Sequence, residues 1–171
     1  VGLHRHGAVE RTTGGVERHV ASLAVRLGEM GNEVIVYTRA WFAPPTRRFA
    51  RGVRTVATPT IRSKNFDTLL HSFTSTIHAT LSGADIIHYH GEGPALFAWI
   101  PRLFAPRTKV VATFHSINRK QRQRWGGLAR FVFWLGEIAI TAFPHETIVV
   151  SRTLQAYCAD RYNRETRYIP N

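Results

Sequence analysis

Apolar residues along this chain recur with two different periods. Val16, Val20, Leu23, Ala24, Leu27 and Met30 stand three or four apart. That spacing puts a stripe along one side of a helix, and it predicts an amphipathic helix over 15–30. Gly31-Asn32 supplies a left-handed stop. Residues 33–38 (Glu-Val-Ile-Val-Tyr-Thr) then form a short β-branched run and predict a strand. The alternation continues. A second helix is expected with Phe66, Leu69, Leu70, Phe73, Ile77 and Leu81 on one face, ended by Gly83. Strands are expected over 85–89, 109–114, 147–150 and 166–169. Helices are expected over 94–104, near 128–143, and from a Ser151 cap to about Tyr162. Val1-Gly2-Leu3 has the character of the tail of a first strand. Apolar strands separated by helices imply a parallel sheet covered on both faces, with right-handed crossovers. The expected class is therefore α/β, a Rossmann-like doubly wound parallel sheet in one domain over 1–171. The chain carries no sequence repeat and no internal linker. Both ends are expected to be cuts from a longer polypeptide, with the first strand truncated.

Composition supports a globular domain and adds one unusual feature. Hydrophobic residues make up 44% and charged residues 20%, which places the chain outside the disordered class. The single cysteine, Cys158, excludes an internal disulfide. No uncharged apolar run reaches the roughly 18 residues needed to span a bilayer. The nearest approach, 128–143, is interrupted by Arg130 and Glu137. Net charge is the outlier: 23 basic residues against 11 acidic give +12. A surface of that sign attracts polyanions such as nucleic acid, anionic lipid or a diphosphate. The charge concentrates in Arg47-Arg48-Phe49-Ala50-Arg51 with Arg54, and in Arg119-Lys120-Gln121-Arg122-Gln123-Arg124. Either run is also consistent with a solvated face that has no partner.

In a doubly wound sheet, ligands bind outside the C-terminal ends of the strands, and the candidate loops fall there. The first ends in Thr13-Gly14-Gly15-Val16 at a helix N-terminus. Free N–H groups and the helix dipole favour an anion at such a place. Paired glycines are also common in plain connections. The second loop is His88-Tyr89-His90-Gly91-Glu92-Gly93-Pro94, and the third is Thr113-Phe114-His115-Ser116. His88 and His90 are two apart on a strand and share a face, while Tyr89 points away. A zinc site is not expected, since no helical pair of histidines four apart and no nearby cysteine accompany them. A hydrogen-bonding role toward a hydroxylated or phosphorylated ligand suits these histidines better. For His88 a packing role is equally open.

These blocks together resemble glycosyltransferase family 4. Gly14-Gly15-Val-Glu-Arg-His-Val20 precedes a helix and Gly31-Asn-Glu-Val-Ile-Val-Tyr-Thr-Arg39. Ala84-Asp-Ile-Ile-His-Tyr-His90, Ala112-Thr-Phe-His-Ser116, Ile148-Val-Val-Ser151 and Tyr168-Ile-Pro-Asn171 follow in the family's order. Arg124-Trp-Gly-Gly127 resembles the branch that includes bacterial rhamnosyltransferases of polysaccharide assembly. The resemblance implies the N-terminal, acceptor-side domain of a retaining enzyme of the GT-B fold. Such an enzyme moves a sugar from a nucleotide diphosphate to a saccharide or lipid-linked acceptor. Gly14 and Gly15 would lie beside the donor diphosphate and acceptor, and His90 and Ser116 would line the same place. His115 matches the histidine that reaches the transferred sugar and stabilises charge at the reaction centre. Arg119, Lys120, Arg122 and Arg124 are candidates for an acceptor phosphate, with a solvated loop as their other reading.

In the retaining reaction that the resemblance implies, the departing phosphate would take the acceptor proton, so no carboxylate base is required, and these loops offer only Glu92. No cofactor and no metal are expected, and the nucleotide sugar is a substrate. The family's second domain carries a Glu-x7-Glu pair, and no two glutamates here stand eight apart. The donor-binding C-terminal domain is therefore expected to be a partner outside this chain, and this domain alone is expected to be inactive. The expected location is cytoplasmic, peripheral on the inner face of the membrane, where the apolar helix near 128–143 and the adjacent basic run would meet anionic lipid.

Two other readings compete. A basic binding module for nucleic acid or anionic membrane, without transferase activity, would account for the charge. Against specific nucleic-acid binding, the aromatics fall mostly at core-like spacing and no recognised motif appears. An epimerase or dehydrogenase would need a Gly-x-Gly-x-x-Gly turn and an acidic residue after the second strand, where Arg39 stands.

Overall fold

The computed structural model describes residues 14–40, 46–50, 52–61, 63, 66–117 and 127–170. The expected first strand at Val1-Gly2-Leu3 lies outside them. Two compact units are found, Val1–Ser75 and Thr76–Asn171.

In the first unit, α1 (Gly15–Glu29) leads into β1 (Val34–Arg39), followed by β2 (Thr46–Ala50), β3 (Val53–Thr58) and the start of α2 (Asp67–Leu81). The strand order is β1-β3-β2. β1 and β3 are parallel, with Val36 opposite Thr55, but β2 runs antiparallel to β3. This departs from the purely parallel expectation. Apolar periodicity misses both β2 and β3, because the basic residues around them have the character of a charged loop.

α1 buries Val20, Ala21 and Ala24 against Val36 and Val53, with Val16, Val34 and Ala50 packed alongside. Small residues on that helix face let the chain approach closely. A Cβ on Gly52 would stand 2.8 Å from the Asn32 carbonyl oxygen and 3.1 Å from the Gly28 Cα. Gly52 also has φ of +73°, so a side chain is excluded there by both space and backbone conformation.

α2 corrects another expectation. Its apolar stripe is not what is buried, since Phe66, Phe73 and Leu81 are exposed. The buried face is instead His71, Ser72, Ser75, Thr76 and Ala79. Hydroxyls can be buried here because each finds a partner. The Thr58 hydroxyl is 2.9 Å from both His71 Nδ1 and Ser75 Oγ, and Ser72 donates to the Thr68 carbonyl at 2.7 Å.

His71 is 4% exposed. Burial, reinforced by Arg39, pushes its pKa down to about 3, with Asp67 opposing weakly. It is therefore neutral in the fold, whereas the unfolded chain binds a proton below about pH 6.5. Stability is full above that pH and falls as pH drops toward 3, because the unfolded state gains the proton first. Between pH 7 and 5.5 the expected loss is about 1 kcal/mol. Urea unfolding at the two pH values checks this, and His71→Gln should flatten the dependence.

The second unit contains β4 (Ile86–His90), α3 (Glu92–Ala95), α4 (Trp99–Phe104), β5 (Lys109–Phe114), α5 (Gly127–Ala142), β6 (Glu146–Val149), α6 (Arg152–Tyr162) and β7 (Arg167–Tyr168). Here the sheet is wholly parallel, in the order β4-β5-β6-β7. Ile87, Val110, Ala112, Phe114, Ile140 and Val149 form its core. The helix expected over 94–104 is two short helices. Pro101 has no N–H to give to the Phe97 carbonyl, so the chain restarts as α4 with Pro101 in the first turn, where no donor is needed.

α5 is apolar, yet its Glu137 is fully buried. Tyr157 and Tyr162 of α6 donate to Glu137 Oε2 at 2.8 and 2.6 Å, so the carboxylate joins the two helices instead of facing solvent. Burial first, and the Glu137 bond second, raise the pKa of both phenols. Burial likewise pushes the Cys158 thiol up to about 11. Among the described residues no helix is long and apolar enough to cross a membrane.

Candidate functional site

The C-terminal edge of the parallel sheet in the second unit brings three histidines together. β4 and β5 pair with His88 opposite Val111 and His90 opposite Thr113. Strand alternation sends His88 and His90 to one face and Tyr89 to the other. Tyr89 is buried and donates to Thr76 Oγ1 at 3.2 Å. The phenol's pKa is raised, chiefly by that burial. His88 Nε2 lies 2.8 Å from Thr113 Oγ1, which fixes its ring. The His90 ring stacks on His88 with centroids 4.2 Å apart. His90 Nδ1 lies 3.3 Å from His115 Nε2, just beyond the end of β5, and these rings are inclined by 27°.

The turn after β4 holds this arrangement in place. Gly91 has φ of +93° and donates its N–H to the Thr113 carbonyl at 2.9 Å, a turn that a side chain would strain. Glu92 follows and is buried. Gly136 of α5 packs against it: a Cβ there would stand 2.7 Å from the Glu92 carbonyl oxygen and 2.9 Å from its Cβ. Ser116 is exposed and His115 half-buried. The Arg119, Lys120, Arg122 and Arg124 candidates lie outside the described residues.

In the first unit, Gly14 is the N-cap of α1 and Gly15 its first residue, and no side chain caps the helix at Gly14. The Glu17 carboxylate occupies the place that a Cβ on Gly14 would take, so only glycine lets it curl back toward the helix start. Glu17 stands at the third helical position, where a carboxylate complements the positive end of the dipole. An incoming phosphate would have to displace this internal anion. The spacing Gly14-x-x-Glu17 carries that signal. Arg39 is ion-paired, its Nε 2.7 Å from Asp67 Oδ2.

Chemically, the histidine edge offers nitrogen donors on a rigid strand end, with hydroxyls at Thr113 and Ser116, and is suited to hydroxyl or phosphate oxygens. The sequence model of Glycosyltransferase Family 4 matches residues 13–171, and the chain belongs to that family. Its α/β fold, with parallel strands and flanking helices, is that of GT-B glycosyltransferase domains. Sucrose-phosphate synthase from Thermosynechococcus elongatus superimposes with a TM-score of 0.72 at 20% identity, over 99% of this chain and 44% of that one. A second structure of that protein gives a TM-score of 0.64 at 23% identity, over 90% of this chain and 83% of that one. The chain thus spans less than half the length of the first of these. No curated protein sequence matches it.

Proposed function

We propose that this domain forms the acceptor-side wall of a retaining glycosyltransferase, which moves a sugar from a nucleotide diphosphate to a saccharide or lipid-linked acceptor. The observation that carries the reading is the convergence of His90 and His115 at the sheet edge, nitrogen to nitrogen at 3.3 Å, in a chain of this family. Glycosyl transfer develops positive charge on the sugar and negative charge on the departing diphosphate. Catalysis therefore needs fixed donors near those oxygens and a positioned acceptor hydroxyl. His115 would supply the donor nearest the reaction centre, and His90 and Ser116 would hold the acceptor. Gly14 and Gly15 would approach the diphosphate once Glu17 swings away. The arginine-rich run with Arg119, Lys120, Arg122 and Arg124 would take an acceptor phosphate. The departing phosphate would accept the proton, with no metal and no cofactor. A second, donor-binding domain would complete the cleft, so residues 1–171 alone would be inactive.

The setting we infer is the cytoplasmic face of a bacterial membrane, in polysaccharide assembly of the rhamnosyltransferase type. Phe131 and Trp134 support it: both are exposed on α5 with ring centroids 5.7 Å apart, beside exposed Arg130. Aromatic and basic side chains on one helix suit an anionic interface.

The test incubates this domain joined to its donor-binding domain with a panel of labelled nucleotide sugars and lipid-linked acceptors in anionic vesicles. The expected result is acceptor-dependent release of nucleoside diphosphate, with the anomeric configuration kept. Duplex binding without consumption of any donor would instead support the basic binding module.

A further inference from the structure

The facing imidazole nitrogens can do more than bind oxygens. We propose that His90 Nδ1 and His115 Nε2 form a two-nitrogen seat for a late first-row divalent ion such as zinc or cobalt. An ion held there would inhibit the domain's reaction. Two nitrogens bound to one tetrahedral zinc at about 2.0–2.1 Å stand about 3.3 Å apart, and the observed separation is 3.3 Å. The same distance that serves a hydrogen bond thus serves as one edge of a coordination tetrahedron.

The seat is built in advance. His90 and Thr113 are opposite each other on paired strands, and the Gly91 N–H is fixed on the Thr113 carbonyl. His88 is fixed on the Thr113 hydroxyl and stacks on the His90 ring. Little conformational freedom is lost on binding, which favours affinity from only two protein ligands. Imidazole nitrogens suit zinc, cobalt, nickel and copper, whereas magnesium and calcium require oxygen.

Proton balance is simple. In the metal-free pair one ring donates its N–H to the other. On binding, both facing nitrogens give lone pairs to the ion, and the displaced proton moves to the far nitrogen of its own ring. Two neutral imidazoles therefore bind the ion without net proton release. Inhibition follows because the ion occupies the facing nitrogens, so His115 Nε2 can no longer present a hydrogen to substrate oxygens.

The inhibitory half rests on the proposed function, and the binding half does not. The experiment titrates the full chain with cobalt chloride and reads visible d–d absorption. A saturable band is expected, lost in His90→Gln and in His115→Ala and displaced by zinc chloride. In His115→Cys the band should return at one ion per chain with a sulfur-to-cobalt charge-transfer feature, and adding His90→Gln to that variant should remove it, which thiolate binding by a misfolded chain would not show. Zinc should also suppress sugar transfer by the unaltered domain joined to its donor-binding domain, with recovery on adding EDTA. Cobalt absorption unchanged in both histidine variants would overturn the seat. Cobalt bound through the pair while zinc leaves transfer untouched would keep the seat and overturn its inhibitory role.

Discussion

Replacing His115 with alanine is expected to lower kcat for sugar transfer by about 10²–10³-fold, the usual cost of losing one fixed donor to a developing oxyanion. The effect should fall on kcat more than on the donor KM, because the lost contact strengthens as charge develops. His115 is half-buried at the end of β5 and not part of the core, so the fold should survive the change. Steady-state kinetics on the domain joined to its donor-binding domain, paired with urea unfolding, separates the two effects. A variant with unaltered stability and near-normal kcat would remove His115 from the reaction. An asparagine at 115 keeps a donor at shorter reach and should recover part of the loss.

The second large effect is expected from Gly136→Val. Position 136 lies inside α5, where replacing glycine ordinarily favours the helix by a few tenths of a kcal/mol. Here the first added carbon would stand 2.7 Å from the Glu92 carbonyl oxygen and 3.0 Å from its carbonyl carbon. Both are backbone atoms of α3, which cannot turn aside as a flexible side chain would. Overpacking of that kind costs up to about 3 kcal/mol, so it outweighs the gain in helix propensity. Urea unfolding should show the loss as a lower midpoint with an unchanged slope. Since α3 follows directly on the Gly91 turn, the strain reaches the His90 end of β4, and transfer should fall as well. Gly136→Ala should give a smaller effect of the same sign.

The strand β5 shows how much was legible in the sequence. Lys109-Val-Val-Ala-Thr-Phe114 is a short stretch rich in β-branched and apolar residues between turn signals, and the strand spans the residues expected of it. The Ser151 cap was equally legible, and its hydroxyl accepts from the Leu154 N–H at 3.2 Å. α1, the Gly31 stop, and the sharing of one face by His88 and His90 also follow from local periodicity and backbone sterics, which act within a few residues.

Three features did not follow. The pairing of β2 with β3 depends on which strand lies next to which, and the alternation of apolar and basic residues there fits a loop as well. The burial of α2 on its hydroxyl face depends on Thr58, thirteen residues from His71, being present to bond it. Without that partner the apolar stripe would be the better face to bury. Glu137 reads as an interruption of an apolar helix until Tyr157 and Tyr162 arrive from α6 to hold its carboxylate.

The histidine edge divides along the same line. The sequence alone determined that His90 and His115 stand at the ends of two strands consecutive in the chain, because strand period and apolar runs are local properties. Only the tertiary structure decided that their nitrogens face each other at 3.3 Å, since that distance depends on the register of β4 against β5. It likewise decided that Gly14 hosts the Glu17 carboxylate, since a side chain's rotamer follows from the space around it and not from its spacing in the chain.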